Sequence, residues 1–203
     1  EFGCTRNTVR RALSMLADQM FVQPIHGKGV RVIWLKGETD MLGALEEVES
    51  FGEFAKRNNA VASTDVKSFE HLICTEQLSR RLGFKVGEEL IRVVRVRSLN
   101  GNARQVDHGY FLESIAKGLT PEIAAKSIYD YLEHKRGVKV MASRRTVSVE
   151  LANDEDCSYL DLGKYNCVAV MESQSYTSDG ILFEVTHART HPEIFHYRVN
   201  SKR

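Results

Sequence analysis

The chain has 203 residues, of which 42% are hydrophobic and 27% are charged, with only 3 prolines. This composition supports a folded core and argues against a disordered or low-complexity chain, and no apolar run approaches the ~18 residues that a membrane span needs. The formal net charge is +1, yet residues 1–36 carry six basic and two acidic side chains, so the remainder is slightly acidic. A basic end on an acidic body is typical of a chain whose end contacts a polyanion.

The first predicted element is an amphipathic helix that begins at Thr5, a suitable N-cap residue. Apolar residues recur at i, i+3, i+4 and i+7 along one face of this helix, namely Val9, Ala12, Leu13 and Leu16. The polar face carries Arg6, Asn7, Arg10 and Arg11. Arginine and asparagine side chains on one helix face are suited to base edges and phosphates in a DNA major groove.

Two short strands are predicted next, at 21–25 and 30–34, on either side of the turn His26-Gly27-Lys28-Gly29. The pattern indicates a small hairpin. The turn is not a phosphate-binding P-loop, because the spacing G-x-x-x-x-G-K-[ST] is absent. Without further context, an ordinary helix and hairpin remain an alternative to a DNA-binding unit.

The body of the chain alternates helices and hairpins after a linker rich in polar residues. Helices are predicted near 50–57 and 76–82, at Thr120-Pro121, from Ser127 to Gly137 and after Asn153; strands at 61–72, 90–97, 105–111, 138–151, 167–176 and 181–189. Asn100-Gly101 and Ser178-Asp179-Gly180 are strong hairpin turn signals. Hairpins with intervening helices predict an α+β fold, in which helices pack on an antiparallel sheet.

Two features of the body suggest an anion site. Arg95 and Arg97 lie two apart on a predicted strand, so their side chains point to the same face. They either hold a phosphate or carboxylate between them or face solvent beside acidic partners. Ser127 opens a helix whose free N–H groups also favour an anion, although Ser127-Ile128-Tyr129-Asp130 is equally a plain capping box.

The cysteines and histidines give no sign of a catalytic or metal centre. Cys4, Cys74, Cys157 and Cys167 are scattered, which argues against a zinc finger or a disulfide-stapled secreted fold. We therefore expect a cytoplasmic protein with reduced thiols. Because no nucleophilic triad or metal-ligand cluster stands out, we expect no catalytic residue, no metal and no cofactor.

The segment from Gly3 to Leu13, followed by His26-Gly27-Lys28-Gly29, resembles the winged helix-turn-helix of the GntR family of bacterial transcription regulators. The resemblance implies that DNA is contacted by the residues matching Thr5, Arg6, Asn7, Thr8 and Arg10, and by the wing tip His26, Gly27 and Lys28. The family's first helix and most of its second precede the matched segment. We therefore expect a partial winged helix-turn-helix in residues 1–36 that binds DNA poorly by itself.

The body resembles the UTRA effector-binding domain of the HutC subfamily of these regulators, which shares the chorismate-lyase-like fold. The motifs that carry the resemblance are Phe51-Gly52-Glu53-Phe54, Arg95-Val96-Arg97, Asp107-His108-Gly109-Tyr110-Phe111, Ser127-Ile128-Tyr129-Asp130 and Phe183-Glu184-Val185. Within the subfamily, 127–133, 160–166 and 191–195 look closest to trehalose-operon repressors. The resemblance implies a linker at 37–45 and an effector-binding and dimerisation domain at 46–203.

The same resemblance implies one effector pocket. Its expected lining residues are Phe51, Gly52, Arg95, Arg97, Asp107, Ser127, Tyr129 and Glu184. The arginines, Ser127 and Tyr129 are expected to hold an anion, and Asp107 and Glu184 to accept hydrogen bonds from the rest of the ligand.

The function expected from these features is a ligand-responsive transcription regulator, most simply a repressor. Its expected partners are operator DNA, a small anionic metabolite such as a sugar phosphate, and a second copy of the chain, with no membrane partner. One alternative is a lyase-like enzyme acting on a small carboxylate, because this fold can host lyase chemistry and a fold alone does not give function. A plain dimerisation module is the other.

Overall fold

The computed structural model describes residues 3–34 and 48–197, together with the backbone of Leu42–Gly43. The described residues form two compact units, one within residues 1–40 and one within residues 41–197. Among them, no helix is long and apolar enough to cross a membrane.

The first unit consists of α1 (Arg6–Asp18) and a hairpin of β1 (Val22–Ile25) and β2 (Gly29–Val32). The Thr5 side chain caps α1 by accepting a hydrogen bond from the backbone N–H of Thr8 at 3.3 Å, as predicted. Val22 is the one buried side chain among residues 3–34. The predicted apolar stripe of α1 therefore forms, but it stays largely uncovered, with Val9 and Leu16 exposed.

The second unit begins with β3 (Leu42–Gly43), which pairs in parallel with β10 (His196–Tyr197). β3 falls within residues 37–45, where we predicted a linker, and most of that predicted linker lies outside the described residues. The predicted bounds of the two domains stay a prediction.

A six-stranded antiparallel sheet forms the framework of the second unit. Its strands are β4 (Ala62–Ile73), β5 (Glu89–Leu99), β6 (Asn102–Leu112), β7 (Val140–Leu151), β8 (Cys167–Thr177) and β9 (Leu182–Thr190). Their spatial order is β4-β5-β6-β9-β8-β7, so β4 and β7 are the two edges. Asn100 and Gly101 both adopt positive φ in the β5–β6 turn, +50° and +83°, the conformation that a tight hairpin turn requires.

Short helices connect and cover the strands. They are α2 (Phe51–Arg57), α3 (Glu76–Leu82), α4 (Pro121–Ala124), α5 (Ile128–Asp130), α6 (Asp154–Tyr159) and a 3₁₀ turn at Pro192–Ile194. Side-chain caps start them: Ser50, Thr75, Thr120, Ser127 and Asn153 each accept a backbone N–H. The predicted α+β fold, an antiparallel sheet with packed helices, is confirmed.

One predicted helix differs in the structure. The helix expected from Ser127 to Gly137 is α-helical for one turn only and continues as a π-helix at Tyr131–Lys135. The π turn places Leu132 in the core, fully buried. Hydrophobic spacing cannot distinguish an α turn from a π turn over so few residues.

The core lies between the sheet and these helices. The largest fully buried side chains include Phe111 on β6, Phe183 on β9 and Leu90 and Ile91 on β5, together with Leu132. A second buried cluster beneath α6 contains Val94, Val106, Leu160, Leu162, Val168 and Val170. The β-branched and aromatic residues that predicted the strands are thus the ones that form the core.

A buried ion pair attaches α6 to the sheet. Arg189 on β9 donates from Nε to Asp156 at 2.9 Å and from Nη2 to the same carboxylate at 2.9 Å, and it also bonds Glu150 on β7. Arg189 and Asp156 are 4% and 0% exposed. Asp156 also completes a capping box with Asn153, so one carboxylate fixes both the start of α6 and its position on the sheet.

We predict that Asp156→Ala lowers the free energy of unfolding by about 3 kcal/mol, because it leaves a buried guanidinium without its main partner. Urea denaturation measures the change. Glu76→Ala removes an exposed pair with Arg80 on α3 and serves as the control, with a midpoint close to that of the wild type. An unchanged midpoint for Asp156→Ala would contradict the structural role of the pair.

Candidate functional site

A cavity of about 160 Å³ opens on one face of the sheet. Alternate residues of five strands point into it: 95 and 97 on β5, 105 and 107 on β6, 143 and 145 on β7, 171 and 173 on β8, and 184 to 190 on β9. The period of two that places these side chains on one face is the property of any extended strand. The volume is about ten times the smallest that holds a water molecule, which is room for a small metabolite.

All eight residues that we expected around an effector line this single cavity: Phe51, Gly52, Arg95, Arg97, Asp107, Ser127, Tyr129 and Glu184. They come from segments more than 130 residues apart in the chain, and the sheet brings them together. Their role toward a ligand is a proposal, taken up below.

Arg95 and Arg97 share one carboxylate at the base of the cavity. Arg95 donates to Asp107 Oδ2 at 2.5 Å, and Arg97 donates to the same oxygen at 2.8 Å. Arg95 and Asp107 are 3% and 2% exposed. Of the two alternatives left open by the sequence, the acidic partner is present, although the pair lies in a cavity and not on the outer surface. The bound anion stays a prediction.

This shared contact perturbs the titration of the groups involved. Burial by itself would raise the pKa of Asp107, but the guanidiniums of Arg95 and Arg97 outweigh it and hold the pKa at about 2, below the ordinary 3.8. Burial, with the neighbouring Arg97, lowers the pKa of Arg95. Asp107 is thus an ionised partner of the arginines, and the hydrogen bonding to ligand that we expected of it stays a prediction.

Arg95 keeps one donor unused. Its Nε is buried and has no hydrogen-bond partner among the described residues. An unpaired buried donor costs about 1–3 kcal/mol, so a ligand atom that accepted this hydrogen bond would recover that free energy. The guanidiniums of Arg95 and Arg97 also lie near aromatic rings, 5.9 Å from the centroid of Phe111 and 5.1 Å from that of Phe51.

A second polar group lies on the wall formed by α5 and β9. The Tyr129 hydroxyl donates to Glu184 Oε2 at 2.5 Å and lies 3.2 Å from the hydroxyl of Ser175. Burial raises the pKa of Glu184 despite the hydrogen bonds that it accepts, and burial beside that carboxyl raises the pKa of Tyr129. Glu184 therefore holds its negative charge less strongly than an exposed glutamate does.

Ser127 and the α2 segment close the rim of the cavity. Ser127 Oγ accepts the backbone N–H of Asp130 at 3.2 Å, and the single α turn that follows provides a smaller helix dipole than the longer helix that we predicted. Phe51 and Gly52 are the first residues of α2, where Ser50 and Glu53 form a capping box. A Cβ at Gly52 would meet nothing within 4 Å, so packing does not require glycine there.

Several lining residues escaped the sequence analysis. They are Gln105, Lys126, Ser143, Arg145, Ser173 and Tyr197, among others. Ser143 and Arg145 alternate on β7 just as Arg95 and Arg97 do on β5, and that pattern was the available signal. Tyr197 reaches the cavity from β10, which no sequence pattern predicted.

The expected DNA-contacting residues all lie in the first unit and are exposed: Thr5, Arg6, Asn7, Thr8, Arg10, His26, Gly27 and Lys28. Arg6 and Arg10 are one helical turn apart on α1, so they share a face. Gly27 has a φ of +71° and open space around its Cβ position, consistent with a bare turn at the tip of the hairpin. The Thr5 hydroxyl is engaged in capping, which competes with a DNA contact.

Comparison with known proteins supplies the family. Residues 57–196 match the model of the UTRA domain. The chain belongs to the UTRA-domain family. This match spans the whole six-stranded sheet and contains six of the eight expected effector residues. It leaves out the first residues of the second unit, among them Phe51 and Gly52.

Relatives of this UTRA protein are transcriptional regulators. It is 29% identical over 197 residues to the HTH-type transcriptional regulator TreR of Bacillus subtilis, covering 97% of this chain and 82% of that protein. Its homologues are GntR-family helix-turn-helix regulators, as the resemblance implied. Because these relatives are regulators and not enzymes, the lyase alternative has no support.

Solved structures agree with the fold of the UTRA domain. The effector-binding domain of the Bacillus subtilis trehalose repressor, TreR, superposes with a TM-score of 0.62 and 27% identity, over 70% of this chain and 98% of that one. The possible transcriptional regulator YydK of the same species reaches a TM-score of 0.74 at 22% identity, over 99% of this chain and 85% of that one.

The shared carboxylate predicts a specific pH dependence. The pKa of Asp107 in the folded protein, about 2, is below the ordinary 3.8, so its ionised form adds stability above pH 3.8 that is lost as the pH falls toward 2. We expect the difference in free energy of unfolding between wild type and Asp107→Asn to be constant from about pH 7 to 5 and to shrink below about pH 4. Urea denaturation at each pH measures it, and a difference that persists undiminished near pH 2 would contradict the pairing.

Proposed function

We propose that this protein is a transcription repressor that binds operator DNA through the first unit and a small anionic metabolite, a sugar phosphate, in the cavity of the UTRA domain. The observation that carries the proposal is the excess of basic groups in that cavity around a buried arginine with an unused donor. Acting on DNA would place the protein in the cytoplasm.

The charges around the cavity support an anion. The basic side chains are Arg95, Arg97, Lys126 and Arg145, and the acidic ones are Glu49, Asp107 and Glu184. Glu49 is bonded to Arg57, and Glu184 accepts a hydrogen bond from the Tyr129 hydroxyl. A phosphate between the guanidiniums, Lys126 and Ser127 would supply the negative charge that Asp107 alone does not.

The remaining lining residues support a polyhydroxyl group beside the phosphate. Hydroxyl and amide side chains surround the cavity, namely Gln105, Ser143, Ser173, Thr186 and Thr190, and Tyr129 and Glu184 present a hydroxyl and a carboxyl. Sugar hydroxyls both donate and accept hydrogen bonds, so they suit this mixture. The name of one relative, the trehalose repressor, also points to a sugar-type effector for that protein.

The DNA-binding part of the proposal rests on the exposed basic face of α1 and on the hairpin tip. Arg6 and Arg10 would read base edges or phosphates in the major groove, and Gly27 and Lys28 would enter the adjacent minor groove. A two-fold symmetric operator requires two copies of the reader, so the proposal includes a homodimer.

Effector and DNA would be coupled through that dimer. If the effector favours an arrangement in which the spacing of the two readers no longer matches the operator half-sites, binding of each ligand weakens the other by the same factor. A plain dimerisation module would show no such coupling, so a mobility-shift assay with and without sugar phosphates separates the two functions.

We expect Arg97→Ala to weaken effector binding by about tenfold to a hundredfold, because a charge-assisted hydrogen bond contributes ~1.5–3 kcal/mol. A thermal-shift screen of hexose phosphates identifies the ligand, and calorimetry measures its affinity. The matched control is Arg92→Ala, since Arg92 lies on the other face of the same strand and bonds Glu70 at 3.2 Å. If Arg97→Ala and the wild type bind the effector with equal affinity, the proposed role of Arg97 in effector binding is wrong.

For DNA, we expect Arg6→Ala to cost about 1–3 kcal/mol and to relax the preference at one base pair. The experiment uses a protein with a complete winged helix and a DNA sequence selected from a random pool. Arg80→Ala, an exposed arginine on α3, serves as the control. If affinity falls equally on every sequence, Arg6 contacts a phosphate and not a base.

A further inference from the structure

The opposite face of the sheet carries a second cavity, of about 420 Å³. Four neighbouring strands, in the order β6-β9-β8-β7, form its floor. The floor residues are His108, Tyr110, Val185, His187, Glu172, Gln174, Arg144 and Thr146, two from each strand. Arg81 and Leu82 at the end of α3, and Arg92 on β5, complete the lining. The volume lies within the range of small-molecule sites.

The second cavity is separate from the first, because one layer of strands divides them. On β9, Glu184 and Thr186 line the first cavity, whereas Val185 and His187 line the second, as the alternation of an extended strand requires. A ligand in the second cavity would therefore contact side chains that a ligand in the first cannot reach.

Arginine side chains lie at both ends of the floor. The strand registers place Tyr110, Val185, Gln174 and Arg144 in one row across the four strands. Since neighbouring strands are about 4.8 Å apart, three spacings put about 14 Å between the backbones of Tyr110 and Arg144. Arg81 joins the Tyr110 end, where its Nη2 donates to the Tyr110 hydroxyl at 2.8 Å and its guanidinium lies 5.5 Å from the ring centroid.

These two arginines have no carboxylate partner among the residues that the structure describes. Arg81 bonds a neutral phenol, and Arg144 forms no hydrogen bond or ion pair within that part of the chain. Arg92, in contrast, bonds Glu70 at 3.2 Å. A guanidinium without an acidic partner is well suited to bind a phosphate or a carboxylate, and contact with the Tyr110 ring already orients that of Arg81.

The other ionisable groups of the floor leave this positive charge in place. Glu172 is acidic, but its side chain is 64% exposed and lies 3.7 Å from His187, so water and salt screen it. Burial lowers the pKa of His187, which keeps the imidazole neutral at pH 7. His108 is bonded to Glu155 at 2.9 Å.

We propose that the second cavity binds a small metabolite with an anionic group at each end, a bisphosphate or a dicarboxylate, whose ends are held by Arg81 and Arg144. Between them, Val185 provides an apolar contact, and His187 and Thr146 provide hydrogen-bonding groups for the middle of the ligand. This site does not depend on the effector proposed for the first cavity. A regulator with both sites would respond to two metabolites.

Calorimetry with two probes, a hexose 1,6-bisphosphate and the six-carbon dicarboxylate adipate, tests the site and distinguishes the two ligand chemistries. We expect at least one probe to bind the wild type. Arg81→Ala and Arg144→Ala should each weaken that binding by about tenfold, because each removes a charge-assisted hydrogen bond. Both arginines are exposed, and circular dichroism checks that the variants are folded.

Two control variants accompany these titrations. Arg80→Ala removes a neighbouring arginine of α3 that bonds Glu76 and does not line the cavity, so it should bind the probe as the wild type does. Arg97→Ala alters the first cavity only, so it should leave binding in the second unchanged.

The outcomes separate this inference from the proposed function. If neither probe binds the wild type, the second site does not exist. Binding that Arg97→Ala weakens and Arg144→Ala does not belongs to the first cavity, which overturns this inference and supports the proposed function. Equal losses in Arg80→Ala and Arg144→Ala would indicate general charge attraction and no site. Inorganic phosphate that binds as tightly as the better probe would rule out a ligand held at both ends.

Alkylation of Thr146→Cys locates the ligand. Thr146 lies on the floor of the second cavity and is exposed, so the substituted thiol should react with iodoacetamide, and more slowly when the better probe is bound. Native Cys4 and Cys157 are exposed and line neither cavity, which makes them internal references. An unchanged rate for Thr146→Cys at saturating probe would place the ligand elsewhere and overturn the inference.

Discussion

Two arginines bonded to one buried aspartate dominate the chemistry of the second unit. Removing charges from water is costly, and the mutual attraction repays that cost only when the charges balance. Here Arg95 and Arg97 contribute two positive charges and Asp107 one negative charge at the base of the cavity. The surplus positive charge, together with the buried Nε of Arg95 that has no partner among the described residues, is the feature on which the proposed anionic effector rests. The sheet beneath supplies the rigid spacing that keeps these groups facing one another.

Local signals in the sequence were enough to predict most elements. In the structure, α3 begins after its N-cap Thr75 and ends at Gly83, which has a φ of +89°. Asn100-Gly101 forms the β5–β6 turn. Such signals can be recognised in the sequence because capping and positive φ depend only on neighbouring residues. The strand period likewise predicted that Arg95 and Arg97 share a face. The prediction that distant residues line one cavity came from the family resemblance and not from their spacing in the sequence.

The sequence could not predict the contacts between residues that are far apart in the chain. The bond between Arg97 and Asp107 depends on the register of β5 against β6, and a shift of one residue would reverse every side chain. Arg145 and Tyr197 enter the cavity because β7 and β10 happen to lie beside it, which tertiary packing decides. The π turn after Asp130 similarly reflects the burial of Leu132, a contact that local propensity does not encode.

The strand order has a mechanical consequence. Each half of the sheet runs strand, helix, hairpin, first β4 to β6 with α3 and then β7 to β9 with α6, and the halves meet where β6 pairs with β9. That junction has seven paired positions, fewer than any other ladder of the sheet. Arg97 and Asp107 belong to one half, and Arg145 and Glu184 to the other. A molecule bound to both halves would oppose sliding of β6 along β9. A ligand in the cavity would therefore make the whole domain more rigid.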